Sequence, residues 1–137
     1  MKNNTVINIL LTIALATMLT GCTKDSGTTP DTGSRSSFLG KWLVTPTTKL
    51  TYEVNITTDP NSSNGVFISN FAGLGTSSIP ASASVSGTSI TLDANQVIGD
   101  GITINGSGSL SGTKIKWNYT LFNGADLINV SETYTKE

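Results

Sequence analysis

Alternation of apolar and polar residues is the feature that most constrains the fold of this chain. Apolar side chains occupy every second position in the segments 50–56 and 115–121, and polar side chains fill the positions between them. A period of two places the apolar side chains of a strand on one face, whereas a helix requires a period near 3.6. No window favours a helix of useful length. The sequence therefore predicts an all-β domain whose strands each bury one face.

Turn-forming residues separate the alternating segments. Asn123-Gly124 suits a two-residue type I′ turn, because both central positions of that turn require positive φ. Strands joined by such short turns must be antiparallel neighbours. We therefore predict an up-and-down meander of about eight to nine strands. Their expected positions are 39–45, 49–58, 65–71, 81–86, 88–93, 96–98, 101–111, 112–122 and 126–136.

A short internal repeat supports this interpretation. Residues 81–90 read ASASVSGTSI and residues 106–115 read GSGSLSGTKI. Duplication of a hairpin and convergence on favourable turn chemistry both explain the similarity. In either case each copy predicts a strand, a Ser-Gly turn and the start of the returning strand.

The meander can close in two ways, as a barrel without free edges or as a β-sandwich. Small residues fall on the inward face of two predicted strands, at Ala81 and Ala83 and at Gly106 and Gly108. Such residues permit sharp strand curvature or leave internal space. They favour the closed barrel, and the sandwich is the alternative.

The first 21 residues have the organisation of an export signal. A short polar start with one lysine precedes a mostly apolar run from Val6 to Leu19, which has the length of a signal-peptide core. The run ends in Leu19-Thr20-Gly21-Cys22, which resembles the bacterial lipobox. The resemblance implies cleavage before Cys22 and acyl chains, palmitate among them, on that residue. An ordinary signal peptide followed by a buried cysteine is the alternative, but Cys22 is the only cysteine of the chain.

Residues 22–37 are then expected to form the lipidated cysteine and a flexible tether, and residues 38–137 the barrel domain. The tether segment contains Pro30, two glycines and many hydroxyl side chains, and it lacks apolar residues that could join a core. A flexible chain of this length reaches roughly 20 Å. By resemblance to other lipoproteins, Thr23 after the cysteine favours the outer membrane, with the domain facing the periplasm or the surface.

The domain opens with Gly40-Lys41-Trp42, and Gly-x-Trp in a first strand resembles the lipocalin signature. Lipocalins place a late arginine over that tryptophan, whereas Arg35 is the only arginine here and Lys136 is the nearest late substitute. Most of the chain resembles small lipoproteins of Bacteroidota, in the order lipobox, polar tether, Gly-x-Trp and meander. The matching segments are 52–56 (YEVNI), 66–71 (VFISNF), 106–110 (GSGSL) and 134–136 (YTK). The resemblance implies a lipocalin-like architecture and an envelope location, and it supplies no activity or catalytic residues.

Composition argues against several classes of function. The chain contains no histidine, so imidazole catalysis and histidine-ligated metal sites are excluded. Its net charge of −1 gives no reason to expect a nucleic-acid partner. The acidic residues of the domain fall mostly in turns or outward positions, and Cys22 is expected to be acylated. We therefore expect a protein that is not an enzyme and that uses neither a metal nor a cofactor.

Four residues are candidates for binding a small apolar ligand inside the barrel: Tyr52, Trp117, Tyr119 and Glu132. Core packing is the competing explanation for the aromatic residues. Glu132 lies on the inward face of the last strand, where an unpaired carboxylate is costly; it is either a polar anchor for the ligand or a position at which a strand end or a bulge meets solvent. The rival function is an envelope interaction or carbohydrate-binding module with a filled barrel and outward-facing aromatic residues. The sequence does not indicate an oligomeric state.

Overall fold

A computed structural model describes residues 34–137, so the predicted signal peptide, Cys22 and most of the tether lie outside the described residues. The elements are α1 (Arg35–Phe38), β1 (Gly40–Val44), β2 (Tyr52–Thr58), β3 (Gly65–Ser69), a 3-10 helix (Phe71–Gly73), β4 (Ala81–Ser86), β5 (Ser89–Leu92), β6 (Gln96–Ile98), β7 (Ile102–Ser111), β8 (Lys114–Phe122) and β9 (Leu127–Lys136). Each of these nine strands lies within a segment in which the alternation predicts one. In this part of the chain no helix is long and apolar enough to cross a membrane.

The strands form one antiparallel sheet in the order β5-β4-β3-β2-β1-β9-β8-β7-β6. β5 also pairs with β7, with Ile90 opposite Gly108, and this pairing closes the sheet into a barrel of eight strands. The prediction of an all-β meander that closes into a barrel is confirmed. A sandwich is excluded, since one continuous ladder runs around the barrel.

The short strand β6 stands outside the eight-stranded ring. It pairs with the first half of β7, while β5 pairs with the second half. The Gln96 side chain bridges from β6 to Ser82 of β4, donating from Nε2 to the Ser82 carbonyl and accepting from the Ser82 amide, each at 2.6 Å. The two bonds occupy both main-chain groups of Ser82 at the point where β5 has ended and β6 lies beside β7.

The internal repeat corresponds to two equivalent hairpins. β4 and β5 pair with Ser86 opposite Ser89, and β7 and β8 pair with Ser111 opposite Lys114. The intervening turns are Gly87-Thr88 and Gly112-Thr113, and both glycines have positive φ, 57° and 59°. The closing pair β5–β7 brings the two hairpins side by side, so the repeated segments meet at the barrel seam.

The connection between β8 and β9 is longer than the sequence predicts. Phe122 pairs with Leu127, so four residues rather than two form the loop. The Asn123 side chain accepts hydrogen bonds from the amides of Ala125 and Asp126 at 3.0 and 2.7 Å. This Asx-type capping satisfies the loop backbone without the type I′ geometry that Asn-Gly suggests.

One end of the barrel, here called the helix end, is sealed by α1. Phe38 is fully buried there, and its carbonyl accepts a 2.7 Å hydrogen bond from the indole of Trp42. Arg35 donates to the Ser62 carbonyl at 2.8 Å, so ordered structure begins before the boundary expected at residue 38. Lys136 places its ammonium 5.0 Å from the Trp42 ring centroid and donates to the Ser37 carbonyl at 2.8 Å. Lys136 thus packs over the tryptophan ring.

The interior of the barrel is filled by side chains. A Cβ at Gly108 would lie 2.9 Å from Trp117 and 3.0 Å from Ile90, and one at Gly106 would lie 2.4 Å from Tyr119. The small inward residues therefore make room for Trp117 and Tyr119 and do not leave an empty chamber. Trp117 itself is fully buried.

Phe71 completes this filling, in a way that differs from the sequence prediction. The strand expected over 65–71 ends at Ser69, and left-handed backbone at Asn70 and Ala72, each with φ of 58°, turns the chain. Phe71 consequently points inward, with its ring centroid 5.4 Å from that of Trp117 and 4.8 Å from that of Tyr119. Phe71, at the last position of the predicted strand, is therefore part of the core.

Candidate functional site

The end of the barrel opposite α1, here called the mouth, is formed by the loops at 45–51, 70–80 and 123–126. β8 and β9 extend beyond β1 at this end, because Val44 at the last position of β1 pairs with Tyr134, well inside β9. The inward face of the extended hairpin and the 45–51 loop enclose a concavity of about 320 Å³. Its lining residues are Pro46, Thr47, Thr48, Lys49, Tyr119, Leu121, Ile128, Asn129, Val130, Ser131 and Glu132.

The only inward-facing carboxylate of the described barrel, Glu132, is held in this concavity by two tyrosine hydroxyls. The hydroxyl of Tyr119 donates to Glu132 Oε2 at 2.8 Å, and that of Tyr52 donates to the same oxygen at 2.9 Å. Within residues 34–137 the other carboxylate oxygen, Oε1, has no hydrogen-bond partner. Two charge-assisted bonds on one oxygen fix the carboxylate while the second oxygen can still accept.

Regular strand geometry explains why Glu132 faces inward. It pairs one to one with Trp117 across the β8–β9 ladder, and the pairing continues without interruption from Lys114–Thr135 to Phe122–Leu127. No bulge shifts the alternation, so of the explanations that the sequence offers for Glu132, the bulge does not apply. Val130 and Tyr134 lie on the same face, and Glu132 is half-buried between them. The site is therefore a carboxylate inside the rim of the barrel that accepts hydrogen bonds from two tyrosine hydroxyls.

The tyrosines around Glu132 are strongly biased toward their neutral form. Burial is the main cause that raises the pKa of Tyr119 well above its usual range, and the negative charge of Glu132 adds to the effect. The same two causes, in the same order, raise the pKa of Tyr52. Burial also raises the pKa of Tyr134 well above its ordinary value. All three hydroxyls thus remain protonated donors at neutral pH.

Below the mouth, the buried Trp117 Nε1 has no hydrogen-bond partner in the described chain, and the buried Tyr134 hydroxyl interacts with the Tyr52 hydroxyl without a well-aligned hydrogen bond. The rings of Trp117 and Tyr134 lie 5.8 Å apart, packed around Phe71. Leaving such a donor unsatisfied costs about 1–3 kcal/mol. The aromatic packing of the core has to offset this cost, and it closes the interior below the carboxylate.

The structure brings three of the four predicted ligand residues together. Tyr119 and Glu132 line the concavity, and Tyr52 supports it through Glu132 without being part of its surface. Trp117 belongs to the core, as the competing explanation from core packing states. The loop residues 46–49 and the apolar pair Leu121 and Ile128 were not predicted. The inward alternation of Leu121 is visible in the sequence, but the overhang of β8 and β9 past β1 is not.

The chemistry of the mouth combines an apolar wall with one acceptor. Leu121, Ile128 and Val130 form the wall, and Lys49 places a cation in the lining loop. Among residues 34–137 no group of three or more acidic or cysteine side chains could hold a metal ion. The geometry suits a compact molecule that presents an apolar body to the wall and a hydrogen-bond donor to Glu132.

Comparison of the chain with protein-family models, with curated proteins and with solved structures finds no match. The class of the molecule is therefore defined by its own architecture, which is a closed eight-stranded antiparallel barrel with one extra strand, a sealed helix end and a polar group at the mouth.

Proposed function

We propose that the chain is a lipid-anchored protein of the bacterial cell envelope whose barrel binds a small ligand at its mouth without catalysing a reaction. The observation that carries the ligand-binding part is the Glu132 carboxylate, which two tyrosine hydroxyls hold inside an apolar rim. A half-buried carboxylate with an unoccupied oxygen offers an attachment point for a donor group, preferably a cationic one.

The filled interior limits the size of this ligand. A concavity of about 320 Å³ is near the lower end of the range for ligand sites. Phe71, packed on Tyr119 and Trp117, blocks entry toward the core. The mouth therefore accepts a compact molecule and not a long acyl chain. An arylalkyl amine has the required shape and chemistry.

The lipid anchor is proposed from the sequence motif at Cys22, and the fold is compatible with it. Cys22 lies outside the described residues, and the first described element, α1, lies at the helix end, opposite the mouth.

A direct test of the anchor is intact-mass spectrometry of protein purified in mild detergent from its own envelope. The expected result is a chain that begins at Cys22 and carries acyl chains, and the Cys22→Ser variant is expected to lack this mass. An unmodified Cys22, or a mature chain that begins elsewhere, would exclude the anchor.

Ligand-observed NMR with phenethylamine and its neutral analogue 2-phenylethanol tests the mouth. We expect the amine to bind more tightly than the alcohol, and Glu132→Gln to abolish this preference. Glu53→Gln, which removes an exposed carboxylate paired with Lys41 outside the barrel, serves as the matched control. The proposal fails if neither probe contacts the protein, or if both carboxylate variants behave alike.

A second candidate function is an envelope interaction or carbohydrate-binding module. The filled barrel favours it, because an interior occupied by Trp117, Phe71 and Tyr134 moves any large binding surface to the outside. Six of the large apolar side chains that remain exposed also lie toward the mouth and not at the sealed end: Leu50, Ile79, Val97, Phe122, Leu127 and Ile128. If neither probe binds at the mouth and a glycan binds elsewhere on the protein, the results favour this second function over the first.

A further inference from the structure

The outer face of β7, β8 and β9 carries a second concavity, which is larger than the one at the mouth. Its volume is about 510 Å³, and we call it the outer groove. The lining residues are Asn105, Gly106, Asn118, Tyr119, Thr120, Asn129, Val130 and Ser131. Tyr119 and Val130 point into the barrel, so the groove side chains come from the outward positions of the three strands.

Strand register places these outward side chains in two rows. Thr120 lies opposite Asn105 on one side and opposite Asn129 on the other. Two residues before Thr120 on the same face of β8, Asn118 lies opposite Ser131. Neighbouring strands are about 4.8 Å apart, so each row presents hydrogen-bonding side chains at that interval across the sheet.

The groove is entirely neutral. Its outward side chains are amides and hydroxyls, Val130 and Tyr119 add apolar surface, and none of its lining residues is charged. The side chains of Asn118, Asn129 and Ser131 make no hydrogen bond within the described chain, and therefore their donors and acceptors face solvent. Such groups can both donate to and accept from a ligand. A charged ligand would find no counter-ion there, whereas a ligand rich in neutral hydroxyl groups would find complementary partners.

Part of the groove is held rigidly before any ligand binds. Asn95 donates its backbone amide to Asn105 Oδ1 at 3.1 Å, and Asn105 Nδ2 donates to Asn95 Oδ1 at 3.3 Å. Gly106 adds bare backbone to the lining, and a Cβ there would lie 2.4 Å from the carbonyl oxygen of Asn118. A fixed side chain and a fixed backbone reduce the entropy that binding must overcome.

An apolar platform adjoins the groove toward the mouth. Phe122 follows Thr120 by two residues and therefore shares its outward face, and it is 42% exposed. Its partner across the ladder is Leu127, which is 64% exposed. Sugars combine equatorial hydroxyl groups with apolar C–H faces, and an aromatic ring beside a row of amides matches both features.

From this arrangement we propose that the outer groove binds a neutral carbohydrate, with Asn118, Asn129 and Ser131 bonding its hydroxyl groups and Phe122 packing against a sugar face. The inference gives a site to the second candidate function above. It requires neither Glu132 nor the lipid anchor, although Asn129 and Ser131 line both concavities.

Saturation-transfer NMR on the full chain in mild detergent, followed by titration calorimetry, tests this site with maltose, cellobiose and N,N′-diacetylchitobiose as probes. At least one probe is expected to bind. Loss of one neutral hydrogen bond, about 0.5–1.5 kcal/mol, corresponds to about two- to tenfold weaker binding for Asn118→Ala or Asn129→Ala. Phe122→Ala is expected to weaken binding without changing any hydrogen bond.

Two controls separate this proposal from the others. Asn55 lies in β2, and its side chain has no hydrogen bond within residues 34–137. The Asn55→Ala variant is expected to leave sugar binding unchanged. Glu132→Gln is expected to leave sugar binding unchanged as well, while it alters amine binding at the mouth. The proposal is overturned if no sugar probe binds, or if Asn55→Ala weakens sugar binding as much as the groove variants do. Neither result would contradict amine binding that depends on Glu132.

Discussion

Alkaline pH should unfold this domain through its tyrosines. The chain contains three tyrosines, and all of them lie in the cluster below the mouth. Burial raises the pKa of each above its ordinary value, and Glu132 adds to the effect for Tyr52 and Tyr119. The folded state therefore binds these protons more tightly than the unfolded state. The resulting stability is complete below pH 10 and is lost as the pH rises from the unfolded pKa toward the folded pKa.

The size of the effect follows from the number of protons. Each tyrosine that ionises only on unfolding lowers the free energy of unfolding by about 1.4 kcal/mol per pH unit. Tyr119 and Tyr134 together contribute about 2.7 kcal/mol per unit. The partly exposed Tyr52 adds to this only over the narrower pH range below its own folded-state pKa. A small domain with about 5 kcal/mol of stability would thus unfold about two pH units above 10.

The assay compares two signals in one titration. Tyrosinate absorbance reports ionisation, and near-ultraviolet circular dichroism reports the packing of the aromatic core. We expect both to change together in one steep transition, with no tyrosinate forming before it. In concentrated urea all three tyrosines should ionise near pH 10. A tyrosine that ionises reversibly near pH 10 while the dichroism remains native would refute the buried cluster.

Three substitutions test other parts of the structure by urea denaturation. Tyr119→Phe removes one of the two hydroxyl donors to the mouth carboxylate and should lower the free energy of unfolding by about 1–2 kcal/mol; unchanged stability would mean that the bond contributes nothing. Phe71→Ala should cost about 3–5 kcal/mol because it empties the centre of the aromatic core, and Phe67→Ala on the outer face should cost clearly less. Gly106→Ala places a Cβ 2.4 Å from the facing strand and should prevent stable folding. Gly112→Ala, in open space with φ of +59°, should cost only about 1–2 kcal/mol, so equal effects at the two glycines would contradict the close approach.

The strands and their faces could be predicted from the sequence because the information is local. Alternation in 115–121 places Trp117 and Tyr119 inward, and alternation in the last strand does the same for Glu132. The alternation does not predict that Tyr52 is a hydrogen-bond partner of Glu132, because the two residues are far apart along the chain. Their contact depends on the pairing of β1 with β9 and with β2, which periodicity does not specify.

The loops and the outer groove were harder to predict for a different physical reason. Phe71 enters the core only because Asn70 and Ala72 adopt left-handed backbone. For an alanine this conformation costs about 1–2 kcal/mol. The packing of Phe71 against Trp117 and Tyr119 and two hydrogen bonds of the Asn70 side chain help to offset this cost. The groove depends on three strands being in register, so its side chains appear in the sequence as ordinary polar positions of separate strands.

Filling the barrel determines where this protein can bind anything. Eight strands enclose a space just wide enough for side chains or for one small ligand, and here Trp117, Phe71 and Tyr134 occupy it. Phe38 and Trp42 seal the helix end. A ligand therefore has no room inside the barrel, which leaves the mouth and the outer surface, with the groove on β7–β9, as the places where one can bind.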